Sequence, residues 1–261
     1  EGILSLSLDE MHAIRDYFAS GAVRSARAAL GLPEHPTDVE LECIAQTWSE
    51  HCKHKIFAGR VHYVDESGQE EWIDSLFQTY IRAATAKIGK EIDWLVSVFS
   101  DNAGIIRFND RYNIAYKVET HNSPSALDPY GGAITGIVGV NRDPMGTGMG
   151  CEMLANVWGY CLGSPFYSGQ LPEGLMHPGR IRDGVHQGVI DGGNQSGIPY
   201  ARGFERFDER YIGKPLVYCG TVGRIPRLLQ DRPSERKELF PGDVIVMCGG
   251  RIGKDGIHGA T

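Results

Sequence analysis

The sequence predicts an α/β protein in which helical segments lead and a strand-bearing domain follows. Three observations carry that prediction. Two capping boxes, Ser7-Leu8-Asp9-Glu10 and Thr37-Asp38-Val39-Glu40, each open a run of helical apolar spacing. Residues 113–119 alternate as a strand does. Glycines then cluster over 131–150 and again over 249–259, and clustered glycine marks close backbone approach or tight turns.

The elements follow in order. After Ser7, the residues Leu8, Met11, Ile14 and Phe18 share one helix face, and Leu30-Gly31-Leu32-Pro33 closes that region. After Thr37, the residues Leu41, Ile44, Ala45 and Trp48 form the next apolar face, with His51 three residues beyond Trp48. Ile73, Leu76, Phe77, Tyr80, Ile81 and Ala84 predict a helix over 72–89. Strands are expected at 95–99, 105–108 and 113–119, with Asn109-Asp110-Arg111-Tyr112 turning between the last two. Residues 133–143 are ambiguous, because Ile134, Ile137, Val138 and Asn141 keep helical spacing while the glycines weaken it. A strand at 153–160 and a Pro/Gly-rich loop at 164–178 come next. Ile181, Val185 and Val189 then predict a helix that stops at Gly192-Gly193. Residues 215–222 and 244–248 read as further strands, and the charged stretch 230–238 reads as a domain boundary.

Composition narrows the function classes. A chain of 261 residues holds one large or two modest domains. Its 41% hydrophobic and 23% charged residues are ordinary for a globular protein. A net charge of -7 argues against a general nucleic-acid binder. No apolar run reaches the ~18 residues that span a bilayer, and no basic, apolar leader precedes the first helix. Cys43, Cys52, Cys151, Cys161, Cys219 and Cys248 are scattered without a CxxC pair, which reads as reduced thiols of the cytoplasm. The chain starts at Glu1 and stops inside a glycine-rich loop, so it is expected to be a piece of a longer protein.

Four segments carry chemistry. In Lys117-Val118-Glu119-Thr120-His121-Asn122, alternation puts Lys117 and Glu119 on one sheet face. The bland reading is a salt-bridged edge strand. The functional one is a site beyond a strand end, where Glu119 and the later Asp143 hold magnesium and His121 serves as a general base. Trp48-Ser49-Glu50-His51-Cys52-Lys53-His54-Lys55 admits three readings: a helix end with dipole-matched cations, a zinc set of His51, Cys52 and His54, or a catalytic imidazole with phosphate-holding lysines. The glycine run from Tyr130 to Asp143 matches neither a Walker A loop nor a true GxGxxG. Residues 249–259, with Arg251 and Lys254, read as an anion-binding nest or a surface turn.

Together the segments WSEHCKHK (48–55), KVETHNSPSALDPYGGAITG (117–136), NRD (141–143), GNQSGIP (193–199) and GGRIGKDGIHGAT (249–261) resemble the synthetase subunit of the phosphoribosylformylglycinamidine synthase family. The resemblance spans residues 37–261. It implies a superfamily N-terminal domain with a four-stranded sheet flanked by helices, preceded by helical segments and followed by the start of a second α/β domain. The implied limits are 1–36, 37–228 and 229–261. It also implies ATP and Mg2+, the substrates formylglycinamide ribonucleotide and ammonia, and a glutaminase subunit that supplies the ammonia. No nucleic-acid or membrane partner is implied.

By the same resemblance, His51 and His121 match the catalytic histidines, and Lys117 matches an ATP-contacting lysine. Glu119 and Asp143 match magnesium ligands. Thr120, His121, Asn122, Ser123 and Arg142 match substrate contacts. His54 stands at an ATP-contacting position where many members have tyrosine, and Ser123 stands where many have a second histidine. Family members run on through a second copy of the architecture, so this chain alone is expected to be inactive and to self-associate through its sheet. Rival readings are a sister enzyme such as aminoimidazole ribonucleotide synthetase, a non-catalytic nucleotide-binding homologue, and a small metal-binding module.

Overall fold

The structure, a computed structural model, describes residues 4, 6–50 and 54–251. The chain divides into two compact units, residues 1–91 with 244–261, and residues 92–243. These limits differ from the sequence-based divisions at 36 and 228.

The first unit opens with α1 (Leu8–Ala19), α2 (Gly21–Ala29) and α3 (Asp38–Thr47). Both capping boxes form. The Glu10 N–H donates to Ser7 Oγ at 3.3 Å, and the Ser7 N–H donates to Glu10 Oε2 at 2.8 Å. Thr37 and Glu40 repeat the exchange at 3.2 and 2.8 Å. Arg27, only 6% exposed, ties α2 to α3. It donates to both Glu40 carboxylate oxygens at 2.5 and 3.0 Å and to the Pro33 and His35 carbonyls. The Arg27 guanidinium holds the Glu40 carboxyl at about 2.

The helix expected over 72–89 is shorter. Glu70–Asp74 is instead the strand β2, paired antiparallel with β1 (Arg60–Val64), and Ile73 lies opposite Val61. Ser75, at φ 62, breaks the chain there, because left-handed backbone ends regular pairing. A π-helical stretch at Phe77–Arg82 then leads into α4 (Ala83–Ile88). Residues 244–248 are not a strand: they are irregular and exposed, Ile245 by 94%. No strand pairs with them among the described residues, and a strand exists only through its ladder.

The second unit is built on six strands where four were implied. They are β3 (Leu95–Ser97), β4 (Gly104–Arg107), β5 (Tyr112–Thr120), β6 (Glu152–Leu162), β7 (Tyr200–Phe207) and β8 (Leu216–Pro226). Their order across the sheet is β3-β4-β5-β8-β6-β7. Every pairing is antiparallel except β6 with β7. That parallel pair needs a crossover, which α7 (Pro178–Ser196) supplies. The turn at 109–112 forms as expected, with Asn109 Oδ1 accepting from the Arg111 and Tyr112 N–H groups, both at 2.9 Å. A two-strand ribbon, β9 (Leu228–Leu229) with β10 (Arg232–Pro233), follows β8.

The ambiguous glycine run is a helix, α6 (Pro129–Met145), preceded by the short α5 (Asn122–Leu127). Asp128 caps α6 by accepting from the Gly131 N–H at 3.2 Å, and Pro129 occupies its first turn. The glycines that weakened the helical reading are what let it pack. A Cβ at Gly184 would lie 2.7 Å from Pro129 Cβ, and Cβ atoms at Gly188 and Gly192 would collide with Tyr130 and Ile137. These three residues form one stripe on α7 against α6. For the same reason α7 does not stop at Gly192-Gly193. It runs to Ser196 and ends on Gly197 in left-handed conformation, φ 68, the usual C-terminal cap.

The core lies between these helices and one sheet face: Ala133, Ile137, Val140, Ile181, Val185 and Val189 meet Tyr160, Leu162, Val217 and Cys219. No helix of the described residues is long and apolar enough to cross a membrane.

Candidate functional site

The site forms where the end of β5 meets the middle and last turns of α6. β5 is the third of six strands, so the edge-strand reading of Lys117 and Glu119 falls. Alternation sends Val118 to the opposite face, where it is 43% exposed. The Lys117 ammonium lies 2.8 Å from Asp143 Oδ2 and 3.6 Å from Glu119 Oε2. Glu119 Oε1 in turn lies 3.6 Å from His121 Nε2. Two carboxylates thus converge on one cation, at the junction of a strand and a helix.

Electrostatics follow from that convergence. The His121 imidazole and then the Lys117 ammonium hold the Glu119 carboxyl below the usual range, against the opposing effect of burial. Burial works against the Lys117 charge, but Asp143 and then Glu119 outweigh it and raise the ammonium above its ordinary value. At 3.6 Å the contact between His121 and Glu119 is too long for a hydrogen bond. His121 Nε2 is buried and has no hydrogen-bond partner.

His121 is held from two sides. Its N–H donates to the Val217 carbonyl at 2.9 Å. Its ring rests on the glycine face of α6, where a Cβ at Gly136 would come within 3.3 Å of His121 Cδ2 and one at Gly139 within 3.7 Å of Nε2. Farther up the same face, a Cβ at Gly132 would lie 2.5 Å from the Ser125 nitrogen. Gly132, Gly136 and Gly139 share one helix face, so this stripe sets how closely the His121–Ser125 segment approaches α6. Asn122 Oδ1 accepts from the Val217 N–H at 2.8 Å, which ties the side chain to β8.

A cavity of about 210 Å³ opens beside these groups, lined by Glu119, His121, Ile134, Thr135, Val138, Gly139 and Arg142. It has an apolar floor with charge at one end. The Arg142 side chain is 80% exposed, with Nε 3.9 Å from Asp143 Oδ1. Thr120 and Ser123 are exposed near the strand end.

Behind the cluster, a buried polar network pins α6 to the sheet. Asn156 Nδ2 donates to Asn141 Oδ1 at 2.7 Å and to Thr221 Oγ1 at 2.6 Å, and Thr221 Oγ1 donates to Asn141 Oδ1 at 2.7 Å. Asn141 stands two residues before Asp143, so this network fixes the turn that carries the second carboxylate.

The structure therefore brings together Lys117, Glu119, His121, Arg142 and Asp143. Asn122 is tied to Val217, Thr120 alternates to the open sheet face with Val118, and Ser123 is exposed. His51 lies outside the described residues, as do Cys52 and the loop from 252 onward. His54 belongs to the first unit, where it is exposed at φ 54. Its neighbour Lys55 is paired with Glu10 at 2.5 Å. Sequence reasoning missed Ile134, Thr135, Val138, Gly136 and Gly139 as site residues. The signal for the glycines was their spacing of three and four residues from Gly132 onward.

The donor set suits magnesium, which takes one or two carboxylates and keeps water or phosphate oxygens as its other ligands. Glu119 and Asp143 already share a cation, the Lys117 ammonium. No group of three or more His, Cys, Asp or Glu placed to hold a metal occurs among the described residues.

Comparison with known proteins gives a consistent set of matches. Residues 1–55 match the profile of the formylglycinamide ribonucleotide amidotransferase linker domain, and residues 100–225 match that of the AIR synthase related protein N-terminal domain. The phosphoribosylformylglycinamidine synthase subunit PurL of Thermoplasma acidophilum is 38% identical over 99% of this chain and 29% of its own length. The Thermotoga maritima subunit is 33% identical over 88% of this chain and 30% of its own length. The chain thus spans less than a third of these relatives. Among solved structures, T. maritima PurL complexed with ADP superposes with TM-score 0.51 at 27% identity, covering 77% of this chain and 26% of that one. The same protein complexed with FGAR gives TM-score 0.50 at 28% identity, covering 77% of this chain and 25% of that one.

Proposed function

Because this chain belongs to the phosphoribosylformylglycinamidine synthase family, as a PurL-type synthetase subunit, we propose that the β5–α6 cluster serves ATP-dependent amidation of formylglycinamide ribonucleotide in purine biosynthesis. The observation that carries the reading is the convergence of Lys117, Glu119, His121 and Asp143 beside one cavity. ADP and FGAR complexes of the T. maritima relative support nucleotide and substrate as the ligands.

The reaction has two stages. The amide oxygen of the substrate attacks the terminal phosphorus of ATP while the amide nitrogen gives up its proton, giving an iminophosphate and ADP. Ammonia then adds to the activated carbon, phosphate leaves with the C–O electron pair, and loss of a proton completes the amidine. Positioning and charge neutralisation supply most of the catalysis of such a phosphoryl transfer. Lys117 brings an ammonium to the nucleotide phosphates. Glu119 and Asp143 would hold magnesium, which when bound would neutralise phosphate charge. His121, which lines the cavity and whose Nε2 has no hydrogen-bond partner, takes the proton from the attacking nitrogen. Arg142 and the Thr120–Ser123 segment hold the substrate. His51 acts as a second catalytic histidine and His54 contacts ATP.

A glutaminase subunit supplies the ammonia from glutamine. The protein works in the cytoplasm. The 261 residues alone do not turn over. The open face of the sheet mediates self-association, because Tyr116, Val118 and Phe204 are exposed on it by 46%, 43% and 38%.

The test is phosphate release from ATP that depends on both formylglycinamide ribonucleotide and ammonium, measured in the intact gene product. Glu119→Gln and His121→Ala are expected to abolish it while circular dichroism stays unchanged. Full turnover in both variants refutes the assignment.

A further inference from the structure

The most informative contact in the cluster is the one between Lys117 and its two carboxylates, since a lysine that serves a nucleotide should not be spent on an internal ion pair. Its ammonium lies 2.8 Å from Asp143 and 3.6 Å from Glu119, the same two groups that suit a divalent cation. Both carboxylates are largely enclosed, Asp143 with 19% and Glu119 with 35% of the side chain exposed. Two carboxylates so close repel each other unless a cation stands between them. Among the described residues, three cationic or ionisable groups face the pair: Lys117 from β5, His121 3.6 Å from Glu119, and Arg142 3.9 Å from Asp143. Arg142 is 80% exposed and, of the two carboxylates, reaches Asp143. Lys117 alone bridges both.

We propose that Lys117 is a placeholder cation: it occupies the shared carboxylate position until a divalent metal takes the pair, and the freed ammonium then turns to a nucleoside polyphosphate. This rests on the functional reading above and adds an order of events to it. Lysine suits the role because its ammonium is a compact point charge on a flexible four-carbon stem, so it can leave one partner for another without disturbing β5. Metal and lysine compete for the same oxygens, so metal binding alone is opposed. A polyphosphate that captures the ammonium removes the competitor. By linkage, metal and nucleotide then tighten each other's binding. The carboxylates meanwhile are never left unpaired, which would be costly for partly buried charge.

The test is lysine labelling of the wild-type chain with acetic anhydride at constant pH, read by mass spectrometry. Three states are compared: free of ligand, with Mg2+, and with Mg2+ and ADP. Lys237 is the internal control, since it is anchored to Asp101 at 2.7 Å and to the Gly146 carbonyl at 2.8 Å. Mg2+ alone is expected to raise Lys117 labelling severalfold and leave Lys237 unchanged, and ADP is expected to reverse the rise. Labelling of Lys117 that stays flat or falls with Mg2+ overturns the proposal. A parallel Mn2+ titration by electron paramagnetic resonance, without nucleotide, compares wild type with Lys117→Met. The variant is expected to bind about tenfold tighter, within the usual range of site coupling; equal or weaker binding overturns the proposal. If Mn2+ binds the wild type while Lys117 labelling stays flat, the placeholder role fails and the metal assignment stands. If Mn2+ binds neither form, both fall.

Discussion

The two faces of the six-stranded sheet are made by the same strands and differ in everything else. On the face under α6 and α7, Val217, Cys219, Tyr160 and Leu162 are at most 1% exposed. On the other, Tyr116, Val118 and Phe204 stand 38–46% exposed, and Tyr218 packs edge-on against Phe204 at 5.7 Å. Along β5 the two classes alternate residue by residue, as the pleat requires, and β8 follows except at Cys219-Gly220-Thr221, which are all buried. The covered face is therefore where stability resides. The open face is apolar without being closed, a composition that marks contact with another surface. The site lies at the edge of the covered face, so its carboxylates are shielded enough to interact strongly and open enough to admit ligand.

The largest expected effect comes from breaking the covered face. Ile137→Ala removes a fully buried side chain at the α6–α7 contact and is expected to cost about 2–5 kcal/mol, as core truncations to alanine do. Urea unfolding of the second unit measures it, and a loss below ~1 kcal/mol would mean that the two helices are not the main support of the sheet.

Next comes the charged edge of that face. Asp143→Asn leaves Lys117 with Glu119 alone and is expected to cost about 1–3 kcal/mol near neutral pH, between the values for surface and buried pairs. The pH profile separates this from a packing effect. Glu119 has its folded pKa lowered from 4.5, so its contribution is present above 4.5 and is lost as pH falls through the folded value. Lys117 has its folded pKa raised from 10.5, so its contribution is complete below 10.5 and is lost as pH rises through the folded value. The cluster thus stabilises most between those two limits. Asp143→Asn should flatten the alkaline shoulder, because Asp143 is the first of the groups that raise Lys117. An unchanged shoulder in urea midpoints against pH would remove Asp143 as the partner.

Smaller still is the cap of the first unit. Ser7→Ala removes the acceptor for the Glu10 N–H and is expected to cost about 1 kcal/mol, read as lost helicity at 222 nm on mild heating.

How much of this was legible in the sequence depends on whether the signal was local. Capping boxes and the Asn109 turn were readable because neighbouring residues make the bonds that define them. That Glu119 and Asp143 come near each other was readable from carboxylates at a strand end and after a glycine run, and the structure brings both to one lysine. The helix α6 was only half readable. Its glycines lower helix propensity, and the compensation comes from α7 and from the His121–Ser125 segment, which are contacts the sequence does not display. Gly192 misled for the same reason: it looked like a stop and is a point of close approach. Ile73 was lost to a hairpin whose pairing with Val61 overrode its helical spacing. That Lys117 would bridge both carboxylates was not readable at all, because Asp143 reaches it from another element.

The smallest expected change in stability carries the sharpest test of the open face. Val118→Lys places a charge among Tyr116, Val222 and Gly220, at a position already 43% exposed. A surface substitution of this kind shifts stability by less than about 0.5 kcal/mol, so the isolated chain should unfold as wild type does. Association should respond far more, because a lysine buried against a second apolar surface would lose its hydration without gaining a partner. Sedimentation velocity over a concentration series decides the matter. If wild type self-associates and Val118→Lys does not, at equal stability, the open face is the contact. If both sediment alike as monomers, apolar exposure on this face has another purpose. If both associate alike, the contact lies elsewhere on the chain.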